Sequence, residues 1–234
     1  MNPKVSKAVA HYWRTRGRQT KSQVKRGATD QGARSAVTGG AHLDEFVKLV
    51  ADVVSSAGIP KDCIIRNSKL ELPGFYRPTK EWDLLVIKDG KLLCALEVKS
   101  QVGPSFGNNF NNRTEEAMGS AMDLWTAYRE GGFGDGPQPW LGYLFMLEDC
   151  PKSNSPVKVS EPHFEVFPEF KGASYAQRYE LFCRRLVRER QYTAATFMMS
   201  AAISGAEGIY TEPAADLQFE QFSRSLAAHV AAYC

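Results

Sequence analysis

The stretch 77–101, RPTKEWDLLVIKDGKLLCALEVKSQ, decides how this chain is read. Two apolar runs, Leu84–Ile87 and Leu92–Val98, flank Asp89-Gly90, and Asp-Gly between such runs is the strongest short-range hairpin signal. Asp83 opens the first strand, and Glu97 and Lys99 close the second. Their facing depends on the loop. If Asp89 and Gly90 alone form it, Asp83 lies opposite Leu96 and points away from Glu97. A three-residue loop, Lys88 to Gly90 with a left-handed Gly90, pairs Ile87 with Lys91 and sets Asp83 opposite Ala95. Asp83, Glu97 and Lys99 then share a face, because side chains alternate with period two. We predict the three-residue loop. Diagonal neighbours on one face lie about 7–8 Å apart, close enough for two carboxylates to converge on one cation.

In this register Leu84, Val86, Leu92, Cys94, Leu96 and Val98 face one way, and Leu85, Ile87, Leu93 and Ala95 the other. Strands apolar on both faces belong in the middle of a covered sheet. The elements around the hairpin agree. Leu43, Phe46, Val47, Val50, Val53, Val54 and Ala57 form one helical stripe over Ala41–Ala57, ended by Gly58 and Pro60. Cys63–Leu72 reads as a first strand, stopped by Pro73-Gly74. Val102–Arg113, VGPSFGNNFNNR, reads as a loop just past the charged strand. Its amides and arginine are groups that pair two-pronged with adenine and guanine. Thr114 caps a helix running to Glu130, with Ala117, Ala121, Leu124, Trp125 and Tyr128 on its buried side. Trp140–Leu147 is a further apolar strand. Ser174 with Gln177 forms a capping box, opening a helix with Tyr179, Phe182 and Leu186 inward and Arg178, Arg184, Arg185 and Arg188 outward. Phe219, Phe222, Leu226, Val230 and Tyr233 repeat at helical spacing, as core or as a dimer interface.

Composition excludes several classes. The 234 residues fit one large domain with appendages, and 43% hydrophobic with 24% charged content is that of a soluble globular protein. No apolar run nears the ~20 residues that span a bilayer, and MNPKVSKAVAHYW lacks a signal-peptide core, so a cytoplasmic protein is expected. Five scattered cysteines and four scattered histidines indicate neither a disulfide framework nor a zinc site. No Gly-Lys-Ser/Thr follows Gly39-Gly40, so no nucleotide cofactor is expected. Charge is uneven: residues 1–40 carry nine Lys/Arg and one acid, while the remainder is net −5. We read 1–40 as a basic arm ahead of a domain over 41–234 with a core at 41–150 and a helical part at 174–234. Such an arm, including Lys25 and Arg26, suits a polyanion partner.

An Asp followed about a dozen residues later by Glu-x-Lys at a strand end resembles the PD-(D/E)XK nucleases. Here the pattern is Asp83 with Glu97-Val98-Lys99, and Trp82 stands where the family usually has proline. Beyond that superfamily pattern the chain is similar to the XhoI family of type II restriction endonucleases. The likeness is carried by RPTKEWD (77–83), LEVKS (96–100), VGPSFGNNFNNRTEEA (102–117), LEDC (147–150) and PHFEVFPEFKGASY (162–175), and covers roughly residues 30–190. The resemblance implies an α/β fold, a mixed central β-sheet flanked by helices on both faces. It implies a homodimer that cuts double-stranded DNA at CTCGAG with Mg²⁺. Asp83, Glu97 and the Val98 carbonyl would hold the metal, and Lys99 would serve the attacking water and the phosphate. Asn108, Asn109, Asn111, Asn112 and Arg113 would contact DNA, and Glu45 is a candidate accessory acid. Two other readings use the same residues: a PD-(D/E)XK repair or recombination nuclease that reads DNA structure, and a DNA-binding module without catalysis.

Overall fold

A computed structural model describes residues 1–25 and 40–234. Its centre is the expected hairpin, strands β4 (Leu84–Lys88) and β5 (Lys91–Gln101), but the turn differs from the expectation. Lys88 pairs with Lys91, leaving a two-residue turn in which Asp89 and Gly90 have φ of 50° and 73°. That is the left-handed pair a tight hairpin turn needs, and Asp and Gly tolerate it best. The register is then recovered by a bulge. Val86 pairs with Cys94 and Ile87 with Leu92, so Leu93 is the extra residue on β5. Beyond the bulge Leu84 pairs with Leu96, which carries Asp83 alongside Glu97 rather than Ala95. The bulge also exchanges two core residues: Leu93 joins Leu84, Val86 and Cys94 on one sheet face, and Leu92 joins Leu85 and Ala95 on the other.

Two further strands follow in parallel, β6 (Trp140–Glu148) beside β5 and β7 (Ala194–Ser200) beside β6. Together with β1 (Ile64–Ile65) they form a mixed sheet of order β1-β4-β5-β6-β7. All of β7 is buried, so the stretch read as a helical part over 174–234 contains a core strand. The Cys63–Leu72 expectation is corrected too. Asn67 and Lys69 take positive φ, which breaks the run into β1 and a separate β2 (Glu71–Pro73) paired with β3 (Thr79–Glu81).

Helices cover both faces. On one lie α1 (Pro3–Lys25), α2 (Asp44–Ser56) and, near the C-terminus, Phe219–Ala231, whose Phe219, Phe222, Leu226 and Val230 are core rather than exposed interface. The reading of 1–40 as a basic arm fails over Pro3–Lys25, a helix whose Val5, Ala8, Val9, Tyr12 and Trp13 pack into the same core. Arg26 lies outside the described residues, and Lys25 is the last residue of α1. The other sheet face is covered by α3 (Phe106–Arg129) and by Tyr175–Arg188, which begins with the Ser174–Gln177 capping box the sequence predicts. Helix α3 starts at Phe106, eight residues before Thr114, with Ser105 in the cap position, so the asparagine-rich segment is helix and not loop. Among the described residues no helix is long and apolar enough to cross a membrane.

Candidate active site

Asp83 sits one residue ahead of β4. Its N–H donates to the Leu96 carbonyl at 3.0 Å, and its Oδ2 accepts the Val98 N–H at 2.7 Å. The backbone pairing and the carboxylate thus lock one another in place at the strand end. Glu97, with a side chain 2% exposed, lies across from it. Glu97 Oε1 is 3.1 Å from Lys99 Nζ, and Oε2 accepts the Tyr192 hydroxyl at 2.8 Å. The three residues picked from sequence are therefore brought together, on a register reached by a different turn than expected.

Two members of the cluster were not anticipated. Lys80, on β3, places Nζ 3.4 Å from the same Glu97 oxygen. Tyr192, in the turn between the 175–188 helix and β7, is 1% exposed and reaches Glu97 from 95 residues away in sequence. Lys80 lies in the RPTKEWD run, three residues before Asp83, on the short strand β3. For Tyr192 the available signal is the apolar run AATFMM that begins two residues later at Ala194, which marks a buried strand.

Burial dominates the electrostatics but does not decide every sign. It raises the Asp83 carboxyl above its ordinary range, against the pull of Lys99 and the Val98 N–H. Burial also pushes Glu97 up, yet Lys99, Lys80 and the Tyr192 hydroxyl outweigh it and hold Glu97 below the usual carboxylate range. Lys80 is lowered by burial and by neighbouring Lys99, with Glu97 opposing. In Lys99 burial is overcome by Glu97 and Asp83, and the ammonium is favoured. Tyr192 is raised by burial and by Glu97, which keeps it a neutral donor.

The remaining candidates scatter. Asn108, Asn111 and Asn112 are exposed at helical spacing on the first turns of α3, with Asn109 half-buried. Arg113 turns inward, half-buried, and its Nη1 pairs with Glu116. Its charge also reaches Lys99. Glu45 pairs with Lys7 at 3.1 Å and does not enter the Asp83–Glu97 cluster. Arg184 is held by Asp216 and Glu180 and Arg185 by Glu169, so the arginine face is largely spent on intramolecular ion pairs. The N-terminus of α3 is set by aromatics, Phe106 stacked on Tyr175 at 5.6 Å and Phe110 edge-on to Tyr179 at 5.0 Å. Nearby, the Gly103 N–H donates to Glu148 Oε2 at 2.7 Å, tying the turn out of β5 to the end of β6.

A mixed sheet between helices, with an Asp and a Glu side by side at the ends of neighbouring strands and a lysine two residues past the glutamate, is the core of a restriction-endonuclease-like enzyme. The chain belongs to the XhoI family: the family model "Restriction endonuclease XhoI" matches residues 22–212. It is accordingly a type II restriction enzyme, a site-specific deoxyribonuclease. It is 55% identical over 207 residues to the type II restriction enzyme BstVI of Geobacillus stearothermophilus, covering 86% of this chain and 92% of the relative. Identity to the type II restriction enzyme XhoI of Xanthomonas vasicola is 50% over 181 residues, 76% of this chain and 72% of that one. With the type II restriction enzyme AbrI of Azospirillum brasilense it is 49% over 162 residues, 69% and 72% respectively. No solved structure matches the chain.

Proposed function

We propose that the chain makes Mg²⁺-dependent double-strand cuts in DNA at the palindrome CTCGAG, leaving 5′-phosphates, and acts as a homodimer in the bacterial cytoplasm. The observation that carries the chemistry is the Asp83–Glu97 pair with Lys99 3.1 Å from Glu97. The site in the specificity comes from the XhoI family likeness. A palindrome calls for two-fold protein symmetry, one subunit to each half-site.

The donor set fits a divalent hard cation. Asp83 is a half-buried carboxyl whose charge is incompletely offset, and Glu97 is held ionised beside it. Among the described residues no group of three or more His, Cys, Asp or Glu side chains gathers. Two carboxylates with further backbone or water oxygens suit Mg²⁺, which keeps several waters. Asp83, Glu97 and the Val98 carbonyl would hold it, and when bound it would supply Lewis-acid stabilisation of the phosphate and a more acidic water. Lys99 orients the attacking water and stabilises charge on the phosphate through its ammonium. Tyr192 holds Glu97 from behind and keeps solvent off that face.

DNA contact falls to two helices. Asn108, Asn111 and Asn112 lie where α3 can present amides to a major groove. Helix α1 contains no acidic residue, and its exposed Lys7, Arg14 and Arg18 line an open cleft of about 420 Å³ whose other walls carry Glu45, paired with Lys7, and Glu207. Trp13 Nε1 donates to Ser200 Oγ at the carboxyl end of β7, so this helix reaches the end of the sheet at which the parallel strands β5, β6 and β7 finish, on the face opposite Glu97. A phosphate-contacting face there supports the polyanion reading of the basic segment, with a helix as its vehicle.

The test is digestion of a sequenced phage DNA with Mg²⁺, with EDTA and Lys99→Ala protein as controls. Discrete Mg²⁺-dependent fragments mapping to CTCGAG are expected. Fragments mapping elsewhere would discard the sequence specificity, a smear would indicate a structure-reading nuclease, and binding without cutting would indicate an inactive module. Asp83→Ala and Glu97→Ala should also abolish cutting while leaving DNA binding largely intact.

A further inference from the structure

Glu97 already has one lysine and one tyrosine hydroxyl, which suffice to neutralise and hold it. A second ammonium on the same oxygen needs its own explanation. Lys80 is not there by chance of a long side chain. It comes from a two-stranded sheet apart from the main one, and its Nζ is fixed by three partners. It donates to the Glu81 carbonyl at 2.7 Å, stands 4.5 Å above the Trp82 ring and lies 3.4 Å from Glu97 Oε1. The Lys80 side chain is only 14% exposed. Trp82 is buried, and its N–H donates to the Leu70 carbonyl at 3.0 Å, which ties this hairpin to the site. The tryptophan that stands in the usual proline position is thus the floor on which a cation rests.

Resting on the nuclease reading above, we propose that Lys80 is a second active-site lysine, held by Trp82, which competes with the divalent cation for Glu97 and supplies positive charge to the scissile phosphate. Formal charge supports this. Asp83 and Glu97 against Lys80 and Lys99 balance to zero within the cluster. Once Glu97 is engaged by a divalent cation, the Lys80 ammonium is surplus there. It sits one side chain away from where the phosphodiester must lie, with a flexible stem that can follow the phosphate. A lysine, rather than an arginine, fits that task because its point charge can turn between two acceptors.

The experiment replaces Lys80 with methionine, which keeps the length and removes the charge, and with arginine, which keeps the charge. Lys80→Gln serves as a second neutral variant if the methionine protein misfolds. Tryptophan-sensitised terbium emission reads ion binding directly, and single-turnover cutting at saturating Mg²⁺ reads the phosphate role. Lys80→Met should bind Tb³⁺ more tightly, by about tenfold, because a like charge beside Glu97 is gone. The same protein should cut at least tenfold more slowly, with Lys80→Arg restoring the weaker Tb³⁺ binding but only part of the cutting rate. Unchanged or weaker Tb³⁺ binding by the neutral variants would overturn the competition, since a merely structural lysine would loosen the site. Wild-type cutting rates in them would overturn the phosphate role. If wild-type protein binds no Tb³⁺ and makes no Mg²⁺-dependent cuts, the nuclease reading falls and this proposal with it.

Discussion

Replacing Tyr192 with phenylalanine removes one oxygen and leaves the ring, so it removes the bond that holds Glu97 from behind, together with the hydroxyl's 3.2 Å contact to the Ala117 carbonyl. The hydroxyl donates to Glu97 Oε2 at 2.8 Å, and both side chains are almost wholly buried. A hydrogen bond to a charged group contributes about 1.5–3 kcal/mol, and burial on both sides removes the usual reduction by solvent. The ring keeps its edge contact with Tyr143 at 5.2 Å, so little packing is lost. For a chain of 234 residues each kcal/mol moves Tm by about 2–4 °C, and the melting temperature in EDTA at pH 7 should fall by roughly 3–12 °C. The pH dependence has a definite sign. Glu97 titrates lower in the folded protein than unfolded, so its contribution is full above the unfolded carboxylate value, ~4.3, and is lost as pH falls through the folded one. Wild type and variant should therefore differ most near neutrality and converge in acid. Thermal or urea melts from pH 7 down to acid test this. Equal stability at pH 7 would mean that the bond contributes nothing. A deficit that does not narrow with acid would mean that the loss comes from packing or the Ala117 contact and not from a bond to ionised Glu97.

Other consequences are as direct. Asp123, with a side chain 4% exposed, accepts the Phe75 and Tyr76 N–H groups at 2.6 and 2.8 Å and Arg77 Nε at 2.7 Å, pinning the β2–β3 turn to α3. Asp123→Ala should cost about 2–4 kcal/mol in urea melts by leaving those donors without their acceptor, and should slow cutting by freeing the hairpin that carries Lys80. Arg14→Gln with Arg18→Gln should lower the slope of log affinity against log salt by about one per lost phosphate contact, without changing which sequence is cut; an unchanged slope would exclude α1 from the DNA interface. Asn111→Ala and Asn112→Ala should relax base preference, by about 1–3 kcal/mol per lost two-pronged contact, measured by cutting of near-cognate sites; unaltered discrimination would move recognition off this helix face.

Local chemistry made much of the protein legible. Alternation and Asp-Gly predict the central hairpin, spacing of three and four predicts α2 and the C-terminal helix, and the Ser174–Gln177 box predicts a helix start to the residue. Asp83, Glu97 and Lys99 were legible as well, because charge at the end of an apolar strand is costly without a purpose. The register was not. Whether a turn has two residues or three, and whether a bulge corrects it, depends on which leucine the two helical layers accept, and Leu93 is chosen only when the layers are present. The asparagine-rich segment misled for a similar reason. Asn is a weak helix former, but Phe106 and Phe110 dock on Tyr175 and Tyr179, and that packing draws the preceding turns into α3. Lys80 and Tyr192 reach Glu97 from a side hairpin and from a turn 95 residues on, and such meetings have no local signature. The sequence by itself determined the elements and the acids, whose signals lie within a few residues. Tertiary structure alone decided the register and the second lysine and tyrosine of the site, because these follow from how whole layers pack.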